Sequence, residues 1–108
     1  MNLDATLDVE VDGTVTFTFR VTNVGTEPAE LTFRSGQDGD VAVRQDGEEV
    51  WRWSDGRMFT QAIRTTTLAV GETYETEYEW TEPAPGDYTA VASLAVEESV
   101  EARAEFQV

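Results

Sequence analysis

The chain contains no cysteine, no histidine and no lysine. Each absence removes a chemistry. Without cysteine there is neither a disulfide scaffold nor a thiolate zinc site. Without histidine or lysine, the triads, thiol pairs and Schiff bases built on those side chains are out of reach. Long apolar runs are also missing, so no segment is long enough to cross a bilayer as a helix. Met1 leads straight into alternating Leu3, Ala5, Leu7 and Val9, with no basic or apolar leader region. The expectation is a cytoplasmic protein with no membrane partner.

Positive charge is scarce. Twenty-two acids oppose seven bases, all of them arginine, for a formal charge of −15 on 108 residues. Nucleic acid needs clustered cations and is excluded as a partner on that ground. Hydrophobic residues make up 40% of the chain and alternate cleanly with polar ones, which argues against disorder. The acid excess therefore reads as a surface adapted to very high salt, where screening within ~3 Å at 1 M removes self-repulsion.

What remains for catalysis is carboxylates alone. No Asp-Thr-Gly or Asp-Ser-Gly occurs, and a small sandwich offers little cleft for a glycosidase-type carboxyl pair. The chain is read as not an enzyme. Asp38, Asp40 and Asp46 crowd one region, but the spacing of a helix-loop-helix calcium site is not met. They are read as a solvated acidic loop, and Glu75, Glu77 and Glu79 as a solvated strand face. Neither a metal nor a cofactor is expected.

Period two dominates the pattern. Val15, Phe17, Phe19 and Val21 form one face against Thr14, Thr16, Thr18, Arg20 and Thr22. Ala29, Leu31 and Phe33 continue it. Tyr74, Thr76, Tyr78 and Trp80 alternate with glutamates. Tyr88, Ala90, Ala92, Leu94 and Val96 would pair with Val100 to Val108 around a three-residue loop, 96 opposite 100 and 88 opposite 108. Asp12-Gly13 and Asp46-Gly47 are two-residue hairpin signals, the second placing Val43 opposite Val50 and Ala42 opposite Trp51. Residues 60–68 look strand-like but break parity, since Ile63 and Leu68 cannot share a face. These readings predict one domain, residues 1–108, an all-β antiparallel β-sandwich of about eight strands.

One stretch stands out from this regularity. Residues 50–64, VWRWSDGRMFTQAIR, hold two of the three tryptophans and three of the seven arginines. Tryptophan, methionine and arginine beside a polar turn are the side chains that carry energy at protein interfaces. Trp51, Arg52, Trp53, Ser54, Asp55, Gly56, Arg57, Met58 and Phe59 are the candidate partner-binding residues. The other reading makes a tryptophan the buried plug of the sandwich, and both can hold, because alternate strand residues face opposite ways.

The series Phe33, Ser35-Gly36-Gln37, Asp40, Asp46-Gly47, Val50-Trp51-Arg52-Trp53-Ser54, Met58-Phe59-Thr60-Gln61-Ala62, Leu68, Gly71-Glu72, Trp80, Pro85-Gly86 and Tyr88 resembles the BsuPI-type intracellular proteinase inhibitors. Asn23, Gly25 and Leu31 fit the same family upstream. WRWS followed by MFTQA, and SGQ before them, are the specific parts; Val41 departs from the family, which has an aromatic beside Asp40. The resemblance implies an immunoglobulin-like sandwich that inhibits an intracellular subtilisin-type serine protease, as a monomer by default. On that reading Met58 or Phe59 fills the protease pocket, Arg52 and Arg57 meet acids on the partner, and Asp55 braces the loop through its own backbone. The alternative is a non-inhibitory interaction module. The loop separates them: an inhibitor presents Met58 or Phe59, and a structural module buries both.

Overall fold

A computed structural model describes residues 2–108, and the alternation becomes nine antiparallel strands, one more than the pattern suggested. They are β1 (Leu3–Asp12), β2 (Thr14–Asn23), β3 (Ala29–Phe33), β4 (Gly39–Gln45), β5 (Glu48–Arg52), β6 (Arg64–Leu68), β7 (Thr73–Trp80), β8 (Asp87–Leu94) and β9 (Glu101–Gln107). There is no helix among the described residues. The ladders run β1-β2-β7, β3-β6 and β5-β4-β8-β9. Val15, Phe17, Phe19 and Val21 are buried as expected, with Leu31, Phe33, Val41, Val43, Ala90 and Ala92 closing the same core. Each such large apolar side chain contributes ~1.5–3 kcal/mol on leaving water. Glu75, Glu77 and Glu79 face solvent.

Three registers differ from expectation, each for a physical reason. A two-residue Asp12-Gly13 turn would set Val9 and Leu7 opposite threonines. Instead the turn closes on Gly13, at φ 73°, and pairs Val11 with Val15, Val9 with Phe17 and Leu7 with Phe19. A one-residue slip flips every side chain, so the buried face decides the register. The Asp46-Gly47 turn is two residues long, with both φ angles positive as its type demands. Beyond it, however, a bulge between Val43 and Arg44 pairs Val43 with Trp51 and Ala42 with Arg52. Val50 is left in solvent and Trp51 turns toward the core.

β8 and β9 pair two residues out of the expected register, Tyr88 with Phe106 and Ala92 with Ala102. Here β8 leaves the ladder early because Ala95 N–H donates to Asp38 C=O at 2.9 Å and Gly39 pairs with Leu94. An even shift keeps each inward residue inward. Only Arg64–Leu68 of the expected strand over residues 60–68 is formed; Ile63 is 68% exposed, in keeping with the parity break.

Two buried polar features hold the connections. Asn23, 1% exposed, donates from Nδ2 to the carbonyls of Glu27 and Leu68 and accepts from Gly25 N–H, fixing the chain where β2 ends. Tyr88 O–H donates to Ala84 C=O at 2.6 Å across the β7–β8 corner. That back-bond is a mark of immunoglobulin-like sandwiches.

Candidate functional site

The site forms where two connections cross side by side. β3 and β6 pair at Phe33 and Arg64, while β4 and β5 pair at Ala42 and Arg52. Residues 34–38 lead from β3 to β4, and residues 53–63 lead from β5 to β6. The two segments must therefore travel together, and they bond. Gly36 N–H donates to Thr60 C=O at 2.7 Å. A side chain at Gly36 would put its Cβ 2.7 Å from Thr60 Oγ1, so the close approach requires glycine. Arg64 donates to Ser35 C=O and to Asp38 Oδ1 and lies over the Phe33 ring.

Asp40 is the hub of this corner. At 9% exposure, its Oδ1 accepts from the backbone N–H of Val41 at 2.9 Å and of Ser54 at 3.1 Å. Its Oδ2 accepts from Ser54 O–H at 2.6 Å and from Arg52 Nη1 at 3.1 Å. Arg52 also grips Glu49 with two nitrogens. Glu49 first and then Asp40 hold the guanidinium more firmly protonated, and Arg52 in turn keeps the Glu49 carboxyl below the usual range. Arg52 is thus engaged within the chain instead of waiting for a partner's acid. The brace on the loop is Asp40, fourteen positions before Ser54, and not Asp55, whose backbone N–H bonds to Arg52 C=O in the turn.

Above this base stands Trp53. Its N–H bonds to Val41 C=O at 3.0 Å, and its ring packs edge-on against Tyr78 at 4.8 Å. The Arg57 guanidinium lies 4.2 Å over the same ring while its Nε donates to Trp53 C=O at 2.8 Å. Phe59, two residues after Arg57, also sits against the ring, centroids 5.9 Å apart. The turn over residues 54–57 closes through Arg57 N–H to Ser54 C=O, with Gly56 at φ 77°. Between the two pinned residues, Met58 is 97% exposed. Asp55, Gly56 and Arg57 are exposed; Trp51, Arg52, Trp53, Ser54 and Phe59 are half-buried. An open groove of about 470 Å³ between β5 and the end of β7 runs beside the turn, with Trp51 and Trp53 in its wall.

Beneath Trp53, burial pushes the Tyr78 phenol up, with the nearby Thr76 hydroxyl tempering the shift. Neither hydroxyl completes a hydrogen bond of ordinary geometry. Tyr74, against Phe33, is pushed up to about 12 by burial and then by Asp38. Trp51 takes no part in this corner. It stacks between Phe17 and Trp80, in a closed ring completed by Tyr88 and Phe106.

Gly36 with Thr60, Asp40 with Ser54, and Phe59 with Trp53 are brought together, and all of these lie in the segments that resemble the family. The BsuPI intracellular proteinase inhibitor model matches residues 2–99. The chain belongs to this family. No curated protein sequence matches it. Among solved structures, a β-glucosidase from Kluyveromyces marxianus is 13% identical with a TM-score of 0.55, over 99% of this chain and 14% of that one. The CARDB domain of a Pyrococcus furiosus protein is 18% identical at a TM-score of 0.53, over 99% and 87% of the two chains. The ApaA protein of Bordetella pertussis is 20% identical at 0.51, over 99% and 90%. The chain spans about a seventh of the glucosidase. At these identities the likeness concerns the sandwich fold alone.

Charge reasoning had set Asp40 among solvated acids and missed its role as hub. Its one signal was that it stands, with WRWS, among the residues that resemble the family. The roles of Ser35, Arg64 and Asn23 were equally invisible to alternation. Asp38 pairs with Arg64, Asp40 with Arg52 and Ser54, and Asp46 occupies the turn, so the three acids do not converge.

Proposed function

We propose that this member of the BsuPI family inhibits a cytoplasmic subtilisin-type serine protease by presenting Met58 from the loop of residues 51–59. It acts as a binding protein and not as an enzyme. The observation that carries this reading is the contrast at residues 57–59: Arg57 and Phe59 are pinned to Trp53, while Met58 stands 97% exposed between them. A large apolar side chain so displayed is free for a partner, and subtilisin-type proteases accept such side chains in their main pocket. Of the two candidates for that pocket, Phe59 is occupied by Trp53 and Met58 is free. Rigidity, which an inhibitor without disulfides must find elsewhere, comes from Asp40, Gly36 and Trp53. The acidic surface, −15 overall, suits the reading to a cell of high internal salt.

The test is a titration of an intracellular subtilisin from the same cell in molar KCl, followed with a chromogenic peptide. Stoichiometric loss of activity is expected. Full activity at a large excess of the protein would remove the reading.

A further inference from the structure

Resting on that reading, we infer that the Met58–Phe59 bond is resealed after attack, because the fold holds both of its ends in place. Two sets of observations lead there. The first is local. On the Met58 side, Arg57 is fixed by its Nε bond to Trp53 C=O, by its N–H bond to Ser54 C=O and by stacking over the Trp53 ring. On the other side, Phe59 rests on the same ring and Thr60 C=O is held by Gly36 N–H at 2.7 Å. Trp53 is therefore a positioning residue for both flanks of one bond.

The second is global. A break after Met58 divides the chain into β1–β5 and β6–β9, and each of the three sheets draws strands from both pieces. β2 pairs with β7, β3 with β6, and β4 with β8. Neither piece can leave without opening every sheet and the shared core.

The chemistry then runs both ways. Attack of the protease serine hydroxyl on the Met58 carbonyl carbon forms an ester C–O bond and breaks the C–N bond to Phe59. The serine proton passes to the departing nitrogen, which becomes the free amine of Phe59. Pinned by Trp53 and Gly36, that amine stays beside the ester and blocks the approach of water. Its return attack re-forms the C–N bond and breaks the ester C–O bond, and the surplus proton goes back to the serine oxygen. A well-oriented intramolecular nucleophile reaches effective molarities on the order of 10⁵ M or more, far above water.

The experiment compares the parent with Phe59→Ala, Gly36→Ala and Phe59→Tyr. Each is mixed with subtilisin in molar KCl, and both residual activity and intact mass after acid quench are followed over hours. The parent should inhibit persistently, with the species cut after Met58 levelling off at a minor fraction. Phe59→Ala and Gly36→Ala should inhibit at first and then lose inhibition at least ~10-fold faster, as cut chain accumulates to completion, the expected result of losing a held nucleophile. Phe59→Tyr, which keeps a ring on Trp53, should behave as the parent. Melting curves confirm that each variant enters the assay folded; Gly36→Ala keeps the test open if Phe59→Ala does not fold. A parent that inhibits while both variants persist as long as it does would overturn the inference alone. A parent that never inhibits would overturn the proposed function with it, and complete cleavage of an inhibiting parent would sink resealing directly.

Discussion

Trp51 and Trp53 lie two residues apart, half-buried, on the same side of one hairpin arm, yet they belong to different structures. Trp51 is stacked at 5.9 Å on Phe17 and 5.5 Å on Trp80 within a closed ring of five aromatics. Its ring partners all lie on strands of the sandwich. Trp53 touches one internal ring, Tyr78, and otherwise carries loop residues, Arg57 and Phe59. The lesson is that burial alone does not sort core from site. What separates the two indoles is whether their partners belong to strands or to a loop, and whether something exposed is held up by them.

Substitutions should separate the pair further. The largest effect is expected for Trp51→Ala, which empties the aromatic ring and should cost ~3–5 kcal/mol of stability, read as a lower urea midpoint at unchanged slope. Inhibition by the fraction still folded should be intact. Next comes Asp40→Ala, which strips four donors of their acceptor. It should cost roughly 2–3 kcal/mol and also speed proteolytic nicking within residues 54–63, because it strikes the support of the loop.

Met58→Ala should reverse the balance of Trp51→Ala. Inhibition should weaken by ~1–3 kcal/mol, typical of an interface anchor, with the melting temperature unchanged. If the melting temperature falls instead, Met58 is packed in solution and the contrast between the two tryptophans collapses. Salt should act on both regions alike: 15 net negative charges repel, and screening relieves this. The melting temperature should rise between 0.1 M and 2 M KCl; a flat or falling curve would remove the adaptation to high salt.

The smallest effect concerns pH. Tyr74 and Tyr78 have folded pKa values raised above the ordinary 10, Tyr74 to about 12. Their neutral forms are favoured by folding, so their contribution is whole below pH 10 and is lost as pH rises above it, for Tyr74 through about 12. Tyr78→Phe should blunt that alkaline loss of stability in a pH series of melts. An unchanged slope would show that the phenol beneath Trp53 does not titrate with unfolding.

Much of the sandwich was legible because alternation reports directly on burial. The faces of β2, β3, β7 and β8 could be read residue by residue, since period two leaves only two choices. Register was less legible. The bulge beside Val43 and the early exit of β8 at Leu94 arise from tethers made by residues far away in sequence, Trp51 and Asp38 in particular. The composition of residues 50–64 marked the candidate site, and the fold added what composition cannot carry. Asp40 looks like one acid among twenty-two until the crossing of two loops brings Ser54 and Arg52 to it. Likewise, nothing in the order of letters separates Met58 from Phe59. Their difference is that Phe59 rests on the Trp53 ring while Met58 stands in solvent.

The bulge in β5 has a consequence for how these molecules tolerate one another. β5 ends its sheet, and an end strand with a straight, unpaired backbone invites a second chain to add on. Here the extra residue, Val50, breaks the repeat of donors and acceptors after the first two pairs, and Arg52 folds back on Glu49 along the same short edge. A second copy approaching in either direction meets a kinked ladder and a charge pair already closed within the strand. The strand that leads into the loop is thereby a poor template for a second copy.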